Sequence, residues 1–97
     1  RESLEWRCPG LCSVDARLLL EEVDDLLGIR IEDEDVDSIG GWLYDQLGEA
    51  PRIGHMAAHM GVLFYVEEVD GVRITRVLVH LPRDFTMQVM PAAHEGE

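Results

Sequence analysis

The chain reads as one small α+β domain, two helices covering one face of a small antiparallel sheet in the order β-α-α-β-β-β. Three observations carry that reading. Apolar residues recur at helical spacing over 18–27 and 39–47, and the pattern turns extended after Pro51. Two runs rich in β-branched residues flank Asp70-Gly71, the strongest short hairpin signal in the chain. Helices grouped ahead of a meander, instead of alternating with strands, give the α+β layout. With 97 residues and 46% apolar content, one hydrophobic core is affordable and disorder throughout is excluded.

Residues 1–9 show no periodicity and are assigned to a linker or tail. The domain is placed at 10–81 and a C-terminal tail at 82–97. A short strand over 11–16 sets Cys12, Val14 and Ala16 on one face, with Leu11, Ser13 and Asp15 on the other. Asp15 stands where it can cap the following helix. That helix, 18–27, carries an apolar stripe of Leu19, Val23, Leu26 and Leu27, with Glu21, Glu22, Asp24 and Asp25 on the remaining surface, and Gly28 closes it. The second helix organises the chain. Asp37 or Ser38 can cap it, and Ile39, Trp42, Leu43 and Leu47 form its buried stripe. Gly48 suits the left-handed stop and Pro51 prevents resumption. Gly40-Gly41 in its first turn costs roughly 1 kcal/mol per residue relative to alanine. Something must therefore approach that backbone closely, either another part of the domain or a ligand, and packing is the favoured reason.

The second half is extended. Residues 55–60 read as a strand, Gly61 as a turn, 62–69 as a longer strand, and Asp70-Gly71 as a two-residue type I′ turn into a last strand at 72–81. Ile74 and Val77 are three apart and both apolar, so a β-bulge is expected near Thr75-Arg76. Beyond Pro82, Phe85, Met87, Val89 and Met90 are apolar enough to pack on a partner chain, while 91–97 read as disordered.

Composition excludes several functions. Net charge is −12 and all eight basic residues are Arg, which argues against binding a nucleic-acid backbone or an anionic membrane surface. No apolar run approaches the roughly 18 residues a membrane span needs, so the segment is expected to be soluble, without membrane insertion. Cys8 and Cys12 lack the second ligand pair of a structural zinc site. His55 and His59 lie four apart in a strand, about 13 Å from each other, too far to share an ion. Asp33, Asp35 and Asp37 have the i, i+2, i+4 spacing of the first three ligands of a calcium loop. Ser38 stands where that loop needs Gly, and Tyr44 where it needs Glu. They are the candidate metal residues. Gly40 and Gly41 are the candidate cofactor-binding residues, although they lack the spacing of either nucleotide fingerprint and no Lys follows. No nucleophile, base and orienter fall into a set, so no catalysis is expected.

Ser13-Val-Asp-Ala-Arg17, Leu20-Glu-Glu-Val-Asp-Asp-Leu-Leu-Gly28, Asp37-Ser-Ile-Gly-Gly-Trp-Leu43, Gly48-Glu-Ala-Pro51 and Asp70-Gly-Val-Arg-Ile-Thr-Arg-Val77 follow one another in order. Together, across 10–81, they resemble the CorC/HlyC transporter-associated domain. The resemblance implies a C-terminal module of a larger cytoplasmic or membrane-associated protein, following a pair of CBS domains and in some members a membrane region. Such proteins are linked to magnesium and cobalt efflux and are called hemolysin-like. It further implies a non-enzymatic regulatory role, dimer contacts, and a fold similar to a subdomain of FAD-binding oxidases. No cofactor is expected; FAD enters through that fold similarity alone. Three positions depart from the family pattern: Ala16 where Gly is common, Met60 where the first of two turn glycines is usual, and His59 where an apolar residue is usual.

Overall fold

In a computed structural model of the chain, residues 1–82 are described; Phe85, Met87, Val89, Met90 and the 91–97 tail lie outside the described residues. The elements are β1 (Leu4–Cys8), β2 (Leu11–Asp15), α1 (Leu20–Leu27), α2 (Ile39–Leu47), β3 (Met56–His59), β4 (Val62–Asp70) and β5 (Arg73–His80). All five strands join one antiparallel sheet in the order β1-β2-β5-β4-β3. Register stacks Cys12, Val79 and Phe64 in one row, and Val14, Val77 and Val66 in the next. These rows form one buried core with Leu20, Val23, Leu27, Ile39, Trp42 and Leu43 from the helices. The α+β expectation holds.

The tail assigned to 1–9 is corrected. Leu4–Cys8 is an edge strand, pairing Leu4 with Val14 and Trp6 with Cys12. Leu4 and Trp6 therefore point to the core face, where they are partly buried. Two apolar residues separated by one charge are too short an alternation to stand out against noise.

The first helix also begins later than its periodicity suggested. Leu19 is extended (φ −72°, ψ 150°) and bridges to Ser38, so α1 starts at Leu20. Its buried stripe is Leu20, Val23 and Leu27, and the expected members Leu19 and Leu26 are exposed. Asp15 does not cap it. The Glu22 carboxylate accepts from the Leu19 N–H at 2.8 Å, half of a capping box. For α2 the expectation stands: Ser38 Oγ accepts from the Gly41 N–H at 3.1 Å, and Gly48 ends the helix at φ 69°.

The two hairpins of the β3-β4-β5 meander have two-residue loops. Met60 (φ 54°) and Gly61 (φ 82°) join β3 to β4 with positive φ at both positions, the type I′ pattern. Between β4 and β5, Asp70 pairs with Arg73, so the loop is Gly71-Val72 and not Asp70-Gly71. Only Gly71 has positive φ (64°), the type II′ pattern. The expected bulge is present: Val69 opposes Ile74 and Glu68 opposes Arg76, leaving Thr75 extra. Glu67 is extra in turn on β4. The bulge lets Ile74 and Val77 both serve the core while Arg76 turns to the opposite face.

Arg76 is buried there, with no carboxylate in direct contact among the described residues. Its Nε donates to Ser13 Oγ (3.0 Å), Nη2 to the Ser13 carbonyl (3.2 Å) and Nη1 to the Glu2 carbonyl (3.0 Å). The Ser13 hydroxyl donates to the Glu67 carboxylate, which also pairs with Arg7 at 2.7 Å. A buried cation held this way ties β1, β2, β4 and β5 together.

Candidate functional site

The domain presents an open cleft of about 830 Å³. It lies where the turn after β2 (Asp15, Ala16, Arg17) meets the start of α2 (Ser38, Gly40, Gly41, Tyr44) and the start of β5 (Val72 to Thr75). Register explains the meeting: Asp15 pairs with Arg76, and the Ala16 N–H donates to the Thr75 carbonyl at 3.1 Å.

Gly40 and Gly41 both line this cleft, and the geometry accounts for Gly40 by packing. A Cβ on Gly40 would stand 2.6 Å from Ala16 Cβ and 3.0 Å from the Ala16 carbonyl oxygen. No real Cβ tolerates the first distance. The Gly40 N–H donates to that same carbonyl at 2.9 Å. Its neighbours are equally engaged. The Ile39 N–H goes to the Leu18 carbonyl (2.9 Å), the Gly41 N–H to Ser38 Oγ (3.1 Å) and the Trp42 N–H to the Ser38 carbonyl (2.9 Å). A helix start binds phosphate through free N–H groups. Here all four are used internally. The unusual Ala16 is part of this contact, since one Cβ fits between the two backbones and two would not.

The acidic run is not gathered into a site. Asp33 Oδ1 accepts the Asp35 N–H at 2.8 Å, and the Asp37 carbonyl accepts the Leu20 N–H at 2.7 Å. Among the described residues, Asp33, Asp35 and Asp37 included, no three His, Cys, Asp or Glu side chains are placed to hold a metal ion. Each carboxylate instead fixes the connector or faces solvent. His55 Nδ1 accepts the Arg52 N–H, and His59 Nε2 lies 2.8 Å from the Arg30 carbonyl while its ring meets Trp42 edge-on. The histidines serve different contacts. Burial pushes the Cys12 thiol up to about 12, which removes it as a nucleophile.

The residues that give the cleft its charge were not selected from the sequence. Asp15 holds the Arg17 guanidinium through two hydrogen bonds (2.9 and 3.1 Å) and the Arg17 N–H through a third (2.8 Å). That partner draws the Asp15 carboxyl down to about 2. Arg73 makes no side-chain hydrogen bond or ion pair among the described residues and is exposed. The available signal was its place just after the hairpin loop, which the strand register brings beside Asp15 to Arg17.

Comparison with known proteins gives a consistent picture. Residues 9–83 match the model of the CorC_HlyC family, described as a transporter associated domain. The UPF0053 protein YhdP of Bacillus subtilis is 35% identical over 66 residues, covering 68% of this chain and 15% of that protein. The magnesium and cobalt efflux protein CorC of Salmonella typhimurium is 33% identical over 79 residues, covering 81% of this chain and 25% of that protein. The chain thus spans a quarter or less of the length of these relatives. The solved transporter associated domain CorC_HlyC of Nitrosomonas europaea superposes with a TM-score of 0.76 at 25% identity, covering 84% of this chain and 99% of that one.

Proposed function

The chain belongs to the CorC/HlyC family of transporter-associated domains, and from that premise we propose that it is a non-enzymatic accessory module of a divalent-cation efflux protein. In this reading it works by contact with neighbouring protein, not by holding a cofactor. The proposed setting is the cytoplasmic part of a larger polypeptide, beside a pair of CBS domains. A relative named as a magnesium and cobalt efflux protein supports the transport link. Among the described residues no helix is long and apolar enough to cross a membrane, so any pore would be built elsewhere.

One observation carries the preference for contact over cofactor: the first-turn N–H groups of α2 are all bonded within the domain. A flavin or adenine nucleotide, the alternative raised by the glycine pair, would have to dislodge Gly40 from Ala16 to reach them. The cleft beside that contact is instead a concave surface offered to a partner.

Two measurements test this. Deleting residues 10–81 from the full-length protein is expected to change cobalt or magnesium efflux from cells, and unchanged efflux would remove the accessory role. Calorimetric titration of the chain with FAD, then ATP and Mg²⁺, is expected to give no saturable heat. Micromolar FAD binding would replace contact with cofactor sensing.

A further inference from the structure

We propose that the cleft is a docking groove for an acidic protein segment that carries an apolar side chain, with Arg73 as the anchoring cation. The inference rests on the contact reading above and adds the partner's chemistry. Charge is the first argument. The chain has 8 Arg against 20 acidic residues, yet the cleft wall carries two Arg and one acid. Asp15 is already committed to Arg17. Arg73 is left over, an exposed guanidinium with no carboxylate partner among the described residues. Guanidinium binds carboxylate through two parallel hydrogen bonds, which gives direction as well as attraction.

Shape and polarity supply the second argument. Val72 is 63% exposed and Tyr44 42% exposed, and both of these exposed apolar side chains line this cleft. Scattered apolar residues need no explanation, but two in one concavity, beside a cation without a partner among the described residues, do. The engaged α2 amides turn the site away from phosphate, whose usual recognition element is a free helix start. What remains is a groove with apolar walls and one directional cation. An acidic segment bearing a Leu- or Phe-like side chain fits it.

The test is fluorescence anisotropy with a labelled peptide of alternating Glu and Leu, with a Lys-Leu peptide as the sign control and ATP as competitor. The Glu-Leu peptide is expected to bind saturably, to weaken at least tenfold in R73Q, and to weaken further as salt rises. The Lys-Leu peptide should bind R73Q at least as well as the original protein. Circular dichroism of R73Q checks the fold, and V72S, which keeps the charge, should weaken the Glu-Leu peptide several-fold. Equal binding to R73Q, no binding to the original protein, or displacement by ATP would each overturn the assignment. So would self-association in sedimentation that R73Q abolishes, because the occupant would then be a second copy. If domain deletion alters efflux while R73Q binds normally, the groove falls and the accessory role stands. If R73Q loses the peptide while deletion leaves efflux unchanged, the groove stands and the accessory role falls.

Discussion

Gly40 and Met60 are two places where the backbone favours glycine, for opposite reasons. At Gly40 the dihedral angles are ordinary helix, and what is missing is room: Ala16 stands where any Cβ would go. At Met60 there is ample room, since the side chain is 80% exposed, and what is missing is a favourable conformation, because φ is 54°. Glycine stands at the first position and methionine at the second. The comparison teaches that a steric demand in the core is enforced more strictly than a conformational demand on the surface. An αL residue costs only about 1–2 kcal/mol, whereas a backbone contact has no side chain to yield.

The largest expected effect tests the steric half. G40A should destabilise the chain by about 2–3 kcal/mol, the cost of overpacking a rigid contact. Urea denaturation would show this as a lower midpoint at unchanged slope. Because Ala16 supplies the nearest atom, A16G should recover part of the loss in the double variant, a coupling that independent sites would not show. Additive losses would mean that the backbone carbonyl of Ala16, and not its Cβ, sets the limit.

The conformational half predicts a smaller change of opposite sign. M60G relieves left-handed strain of about 1–2 kcal/mol but gives the unfolded chain more freedom, which takes back about half. A net gain of about 0.5–1 kcal/mol is expected in the same denaturation series. A loss would show that the exposed Met60 side chain makes a contact worth more than the strain.

A pH comparison probes the turn on which Ala16 rides. Arg17 lowers the Asp15 pKa from 3.8 to about 2. A carboxylate whose folded pKa is depressed contributes stability above its unfolded value, and loses that contribution as pH falls through the folded value. The window is therefore about pH 4 down to 2. Asp24 acts in the other sense, because burial raises its pKa and acid relieves it. The clean readout is thus a difference: between pH 5 and pH 2 the original protein should lose more stability than D15N. The pair is at the surface, which holds the effect below about 1 kcal/mol.

How much of this was legible in the sequence follows from the same contrast. Gly40 was visible as an oddity because two glycines in a helix start break propensity without a local reason. Its partner Ala16 lies 24 positions earlier, and no local pattern links them. The order of helices and strands, the Ser38 cap and the Thr75 bulge were readable because each has a short-range signature. The edge strand Leu4–Cys8 was not, since two apolar residues make too little alternation, and the stripe of α1 was misplaced because Leu18, Leu19 and Leu20 offer three equally apolar starts. The tertiary bridge between Leu19 and Ser38 decides among them. Arg73 was silent for a similar reason: what marks it is its place in the cleft without a partner among the described residues, which only the folded chain reveals.

Gly41, next to the crowded glycine, gives the smallest and most discriminating effect. Its added Cβ would stand 3.1 Å from Ser38 Oγ and 3.9 Å from Val36 Cβ, so only a side-chain hydroxyl has to move by a few tenths of an ångström. Replacing glycine by alanine inside a helix gains about 1 kcal/mol from propensity. Disturbing a serine cap costs about the same. G41A should therefore lie within about 0.5 kcal/mol of the original protein, although it neighbours a site where the same substitution costs several times more. If G41A proved as damaging as G40A, the demand for glycine would belong to the whole helix start, including any ligand approaching it. A neutral G41A confines that demand to the single point where α2 touches Ala16.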